Sequence, residues 1–188
     1  MDAVELLRNR VSAIGASSRT MMSEAADLDW GRPLFPGTSP LGLTFWHLPR
    51  AVDWIVNTSI RGCTEVVDDP AFGSLPDPEE FGFGTGLTPE LAAQAAGAVQ
   101  PAALISYSEA VHACADEWMS TLSADSLDER VPEFLDRQRM RAAYSTDEAL
   151  AEVTHLADLS VAMLLSRPAM AHLLMHLGEI DVIMQLAR

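Results

Sequence analysis

The sequence contains no lysine: all 12 basic residues among its 188 are arginine, set against 27 acidic ones. No side-chain amine is therefore available for Schiff-base chemistry. A formal charge of −15 excludes nucleic acid and anionic membrane surfaces as partners, because both are bound through clustered positive charge. Cysteine is scarce as well. Cys63 and Cys114 are the only two, too few for a disulfide scaffold and without the spacing of a zinc knuckle. No run reaches the roughly 20 apolar residues that a membrane-spanning helix needs. Met1-Asp2-Ala3-Val4-Glu5 carries acid where a secretory signal carries base. The expectation is a soluble, cytoplasmic protein that acts on a small molecule. Alanine richness without lysine points to a GC-rich bacterial genome.

What is present is hydrophobic: 48% of residues are apolar and 21% charged, enough for one domain over residues 1–188 with its own core. Apolar residues recur at helical spacing, and strand-like alternation is nearly missing. Val4, Leu7, Val11, Ile14, Met21, Ala25 and Leu28 form one stripe, which predicts a helix over 2–28. Ser39-Pro40 has the form of a helix start, and Gly62 should stop that second helix after Arg61. Residues 63–87, rich in glycine, proline and acid, are too long for slack and read as a packed functional loop. Thr88-Pro89 restarts helix, and Gly97 and Pro101 divide a short helix from a long one over 101–122. Residues 123–144 look polar and irregular; Ser145 to Glu148 has the S-x-x-E capping-box form. Pro168 should break or kink the final helical stretch. The fold class is all-α, a helical bundle of four principal helices with additional short ones and a long loop after the second.

The five histidines carry the chemistry. His172 and His176 lie one turn apart on the last helix, on a face with Ala169, Leu173, Ile180 and Ile183. Two imidazoles directed inward need partners, and a shared metal ion satisfies both. His47 shares a face with Leu43, Ala51 and Trp54 on the second helix, and antiparallel packing would set it opposite that pair. Three histidines leave coordination positions open, as at catalytic zinc sites. Core histidines satisfied by carbonyls and water are the competing reading of the same spacing.

Ser39-Pro40-Leu41-Gly42-Leu43-Thr44-Phe45-Trp46-His47-Leu48, followed by Val52-Asp53-Trp54, resembles the second helix of the DinB-like (DinB/YfiT) family. His172-Leu-Leu-Met-His176-Leu-Gly178-Glu179-Ile180 resembles that family's H-x-x-x-H-x-G-[QE]-[IL] signature. The resemblance implies a four-helix bundle, often a homodimer, holding one divalent metal on His47, His172 and His176. It also implies a thiol-dependent transferase or isomerase, as in relatives that use mycothiol or bacillithiol and in mycothiol-dependent maleylpyruvate isomerase. The cofactor would be zinc or nickel, with a low-molecular-weight thiol as co-substrate. Two positions depart from the family: Pro49 should kink the backbone near Phe45, and Met184 stands where an arginine is common. The alternative function is a non-catalytic binding or stress-response bundle with a structural metal or none.

Lesser candidates surround this core. Asp53 could orient a ring N–H of His47 or serve as a surface or capping acid; Glu179 could act as a base or face solvent. His112 and Cys114 share the long third helix, Trp46 and Trp54 could line a pocket, and His155 has no assigned role. Phe81 to Gly86 lacks the lysine and preceding strand of a phosphate loop, so it reads as a lid over the bundle end. Arg137, Arg139 and Arg141 read as surface ion-pairing groups, or as attractors for an anionic substrate.

Overall fold

The computed structural model describes residues 2–187. It is helical, with no strand among the described residues; a single β-bridge joins Arg130 and Ser160. α1 (Ala3–Glu24) is capped by the Asp2 carboxylate, which accepts from the Glu5 amide at 2.8 Å. It ends four residues before the apolar stripe does, and Ala25 and Trp30 complete the core from the following loop.

α2 (Leu41–Asp53) is buried at every position except Thr44, as expected of the central helix of a small protein. Its start differs from the sequence expectation. Ser39 supplies no cap; Pro40 occupies that position without a side-chain bond, and the Gly42 amide instead donates to the Trp30 carbonyl at 2.9 Å. Pro49 does not interrupt the helix, which runs through it to Asp53. The chain then continues as a π-helix over Trp54–Arg61 and stops at Gly62, which is left-handed at φ +63°.

Residues 63–87 are packed, as their length predicts: two 3-10 turns and the short α3 (Pro78–Phe81) bury Val67, Leu75, Phe81 and Phe83. α4 (Pro89–Ala98) opens on Thr88, whose hydroxyl accepts from the Leu91 amide. α5 (Pro101–Met119) is the long helix expected there, one turn shorter at its end. The polar stretch that follows contains α6 (Ala124–Asp128) and α7 (Phe134–Gln138). α8 (Asp147–Val153) starts one residue later than the S-x-x-E pattern implies, because Thr146 rather than Ser145 caps it. Pro168 lies in a π-helical turn, Arg167–Ala171, that joins α9 (Val161–Ser166) to α10 (His172–Ala187). A proline lacks the amide of the α-helical ladder, and here the ladder widens for one turn instead of breaking.

The four longest helices touch in a ring: α5 packs on α1 and α2, and α10 packs on the same two. Their buried apolar residues form one cluster. Among the described residues no helix is long and apolar enough to cross a membrane.

Candidate metal centre

Two elements bring the histidines together. His47 projects from the middle of α2, and His172 and His176 occupy the first two turns of α10. The core face of α10 is Leu173, Leu177, Ile180 and Met184, so the two histidines flank that face, about 100° around the helix from its leucines. His47 Nε2 lies 2.9 Å from His172 Nε2, which lies 3.2 Å from His176 Nε2. The three ligand atoms are within 4.8 Å of one another, close enough to bind one metal ion. Tetrahedral coordination with bonds of ~2.0–2.1 Å sets ligand nitrogens roughly 3.3 Å apart, and both close separations fall near that figure.

The outer ring nitrogens determine the protonation. His47 Nδ1 lies 2.6 Å from the Phe83 carbonyl. A carbonyl only accepts, so Nδ1 carries the proton. His176 Nδ1 lies 2.7 Å from a Glu179 carboxylate oxygen and donates to it in the same way. In the neutral rings both Nε2 atoms therefore present lone pairs, and both face His172 Nε2. One imidazole proton cannot satisfy two facing lone pairs equally, whereas one cation suits all three nitrogens. Burial holds His47 neutral, its pKa pushed down to about 3, with the neighbouring histidines adding to the effect against the opposing Phe83 bond. Burial lowers His172 as well. Neutral imidazoles are the form that ligates.

The loop after α2 supplies the Phe83 carbonyl. Within Phe81–Gly86 three glycines have positive φ: Gly82 at +55°, Gly84 at +89° and Gly86 at +72°. These angles are cheap only for glycine, and they turn the chain so that successive carbonyls point at α2. Phe83 O meets His47, while Gly82 O accepts from Arg50 Nε at 3.2 Å. The expected lid is thus an orienting loop. Arg50 is fully buried and uses all five of its N–H donors, on Gly82, Asp53, Glu65, Tyr107 and Tyr144. Glu65, 3% exposed, is held below the usual carboxylate range: burial would raise it, but Arg50 and Arg141 outweigh that.

Asp53 plays neither role expected of it. It is wholly buried away from the histidines and receives the Val66 and Val67 amides at 2.9 and 3.0 Å, the Tyr107 hydroxyl and the Asn57 amide. It fastens the start of the loop as Arg50 fastens its end. Burial raises the Asp53 pKa, and Arg50 opposes that.

A cavity of about 380 Å³ opens against His47 and His172, walled by Ala51, Trp54, Phe83, Val153 and Leu156, with Glu152, His155 and Arg167 also lining it. A second, of about 250 Å³, reaches all three histidines between Leu43, Thr44 and Gly84. Trp54 is a pocket wall as expected, stacked on Phe83 at 4.5 Å, whereas Trp46 is plain core against Tyr107. His155, given no role from sequence, is a lining residue. His112 is buried between α5 and α1, its ring filling the space beside Gly15. The three alternating arginines are structural. Arg137 donates to the Ser59 and Ile60 carbonyls, Arg139 pairs with Asp136, and Arg141 pairs with Asp68 and Glu79.

Arg50 and the Phe83 carbonyl were missed in the sequence. An Arg-x-x-Asp pair in an apolar helix was a usable signal for the first; a backbone carbonyl leaves none. No protein-family model matches the chain, and no curated protein matches it.

Proposed function

We propose that the chain is a divalent-metal enzyme of the DinB-like type, a four-helix bundle whose metal is held by His47, His172 and His176, and that it is a thiol-dependent transferase or isomerase. The observation that carries the reading is the convergence of three Nε2 atoms, two of them fixed as lone-pair donors by Phe83 and Glu179. A divalent ion with three neutral imidazoles keeps its charge and open positions, and so lowers the pKa of a thiol or water delivered to it.

The rest of the work falls to the chain. The Phe83 carbonyl holds the His47 tautomer, and the Glu179 carboxylate holds the His176 ring with its Nε2 turned to the site. Trp54 and Phe83 keep bulk water from the inner wall of the larger cavity. Arg167, an exposed cation lining that cavity, receives the anionic end of the thiol or its acceptor, the part an arginine near Met184 would otherwise take. Two cavities reaching the triad favour a catalytic over a closed structural site, which would have all its positions filled by protein. Imidazole suits zinc and nickel alike. The exposed α10 stripe of Leu174, Val182 and Leu186 is the face we assign to a homodimer.

Metal analysis of protein purified without a histidine tag should give one zinc or nickel per chain, lost in His172→Ala and His176→Ala. A stoichiometry near zero after loading with both metals would falsify the metal site. Metal bound at full stoichiometry, with no conjugation or isomerisation across a panel of thiols and electrophiles, would leave the site and remove the thiol chemistry.

A further inference from the structure

The chain's only two cysteines, far apart in sequence, meet on one atom. Cys63 Sγ lies 3.6 Å and Cys114 Sγ 3.7 Å from Asn57 Oδ1, so each thiol donates to the same amide oxygen. Arg61 Nη1 donates to that oxygen too, at 2.6 Å, and sits 3.4 Å from Cys114 Sγ. Asn57 Oδ1 thus receives three donors for its two lone pairs. Loss of both S–H groups would leave it satisfied by Arg61 alone. The two cysteines also differ in freedom. Cys114 is fixed within α5 and half-buried, whereas Cys63 follows the left-handed Gly62, outside regular structure and exposed.

We propose that Cys63 and Cys114 are a modification site, forming a reversible intramolecular disulfide in response to a hydroperoxide. Cys114 is assigned the attack on geometry, because the Arg61 guanidinium donates to its sulfur at 3.4 Å. Burial pushes the Cys63 thiol up, with its sulfur turned in towards Asn57, and this suits the second, resolving role. In the first step the Cys114 thiolate attacks one oxygen of hydrogen peroxide. The S–O bond forms as the O–O bond breaks, and the departing hydroxide takes up the thiol proton as water. Cys63, as thiolate, then attacks that sulfur. The S–S bond forms, the S–O bond breaks, and a second water leaves with the Cys63 proton. Two electrons pass from the two thiols to the peroxide. The bond would tie the end of the π-helix, which carries the pocket residue Trp54, to α5. It shares no residue with the histidine triad and stands whether or not a metal binds there.

The test uses the full chain and hydrogen peroxide at one equivalent. The chain has no lysine and no arginine between Arg61 and Arg130, so trypsin leaves both cysteines in one peptide and a glutamate-specific protease is needed to separate them. Titratable thiols should fall from two to none per chain, with a Cys63–Cys114 cross-linked peptide that dithiothreitol releases. Cys63→Ser should trap a dimedone-reactive sulfenic acid on Cys114, while Cys114→Ser should leave Cys63 reduced at the same dose. Two free thiols after treatment, a bond between chains, or sulfinic and sulfonic acids in place of the cross-link would overturn the site. Dimedone on Cys63 in Cys114→Ser would overturn the order of attack. If a serine variant fails to fold, the wild-type peptide map alone decides the site.

Discussion

A histidine's value as a ligand depends on which of its nitrogens is already occupied. Glu179 fixes that for His176 through a bond of 2.7 Å. Glu179→Gln should keep the fold and weaken metal affinity by roughly 10- to 100-fold, measured by competition with a chromophoric chelator; unchanged affinity would make Glu179 a surface acid only. His112 offers a different test. Its Nδ1–H donates to the Ser108 carbonyl at 2.7 Å and its Nε2 is buried without a hydrogen-bond partner. Burial pushes its pKa down to about 4, so the unfolded chain takes up a proton there before the folded one does. Stability from this group is complete above pH ~6.5 and is lost on acidification towards about 4, by roughly 1.4 kcal/mol per pH unit. In urea unfolding of the chelator-treated protein, where His47 and His172 add slopes of the same sign, the slope should be smaller in His112→Gln by about that amount.

Both elements that widen into π-helix adjoin the larger cavity. One carries Trp54, and the other carries Arg167 and Pro168 directly before His172. Such turns often sit at functional sites because they re-aim side chains without ending the helix. The glycine-rich segment is the third positioning element. A Cβ on Gly84 would lie 3.5 Å from His47 Cβ and Leu43 Cδ1, an ordinary contact, so only its backbone angle resists substitution. Gly84→Ala should therefore cost about 1–2 kcal/mol and weaken metal binding by moving the Phe83 carbonyl. Wild-type affinity in that variant would show that the carbonyl does not orient His47. Helix stops and restarts were largely legible, since Gly62, Thr88-Pro89 and Pro101 act locally. The caps differ from the sequence expectation because Thr146 takes the bond expected of Ser145, and at the start of α2 the distant Trp30 carbonyl, not a side chain, receives the Gly42 amide.

At the level of the whole molecule the −15 charge belongs to a solvated exterior, while the interior sets Arg50 between Asp53 and Glu65, the second of which also pairs with Arg141. A metal that binds only the folded chain must stabilise all of it. Zinc at a hundredfold excess over its dissociation constant should add about 2.7 kcal/mol, read as a rise in melting temperature that a chelator reverses and that is missing in His47→Ala. Arg50→Met would take the paired cation from buried Asp53 and one of two from Glu65, which keeps Arg141, and should cost about 3–5 kcal/mol or prevent folding, followed by thermal unfolding. The sequence by itself determined the helical class, the long helices and the identity of the three histidines, because periodicity and local stop signals do not depend on distant contacts. Only the tertiary structure decided that those histidines meet, that a loop carbonyl and a carboxylate set their protons, and that Arg50 holds the loop in place. Convergence, tautomer and burial are properties of residues brought together from far along the chain, and no local pattern encodes them.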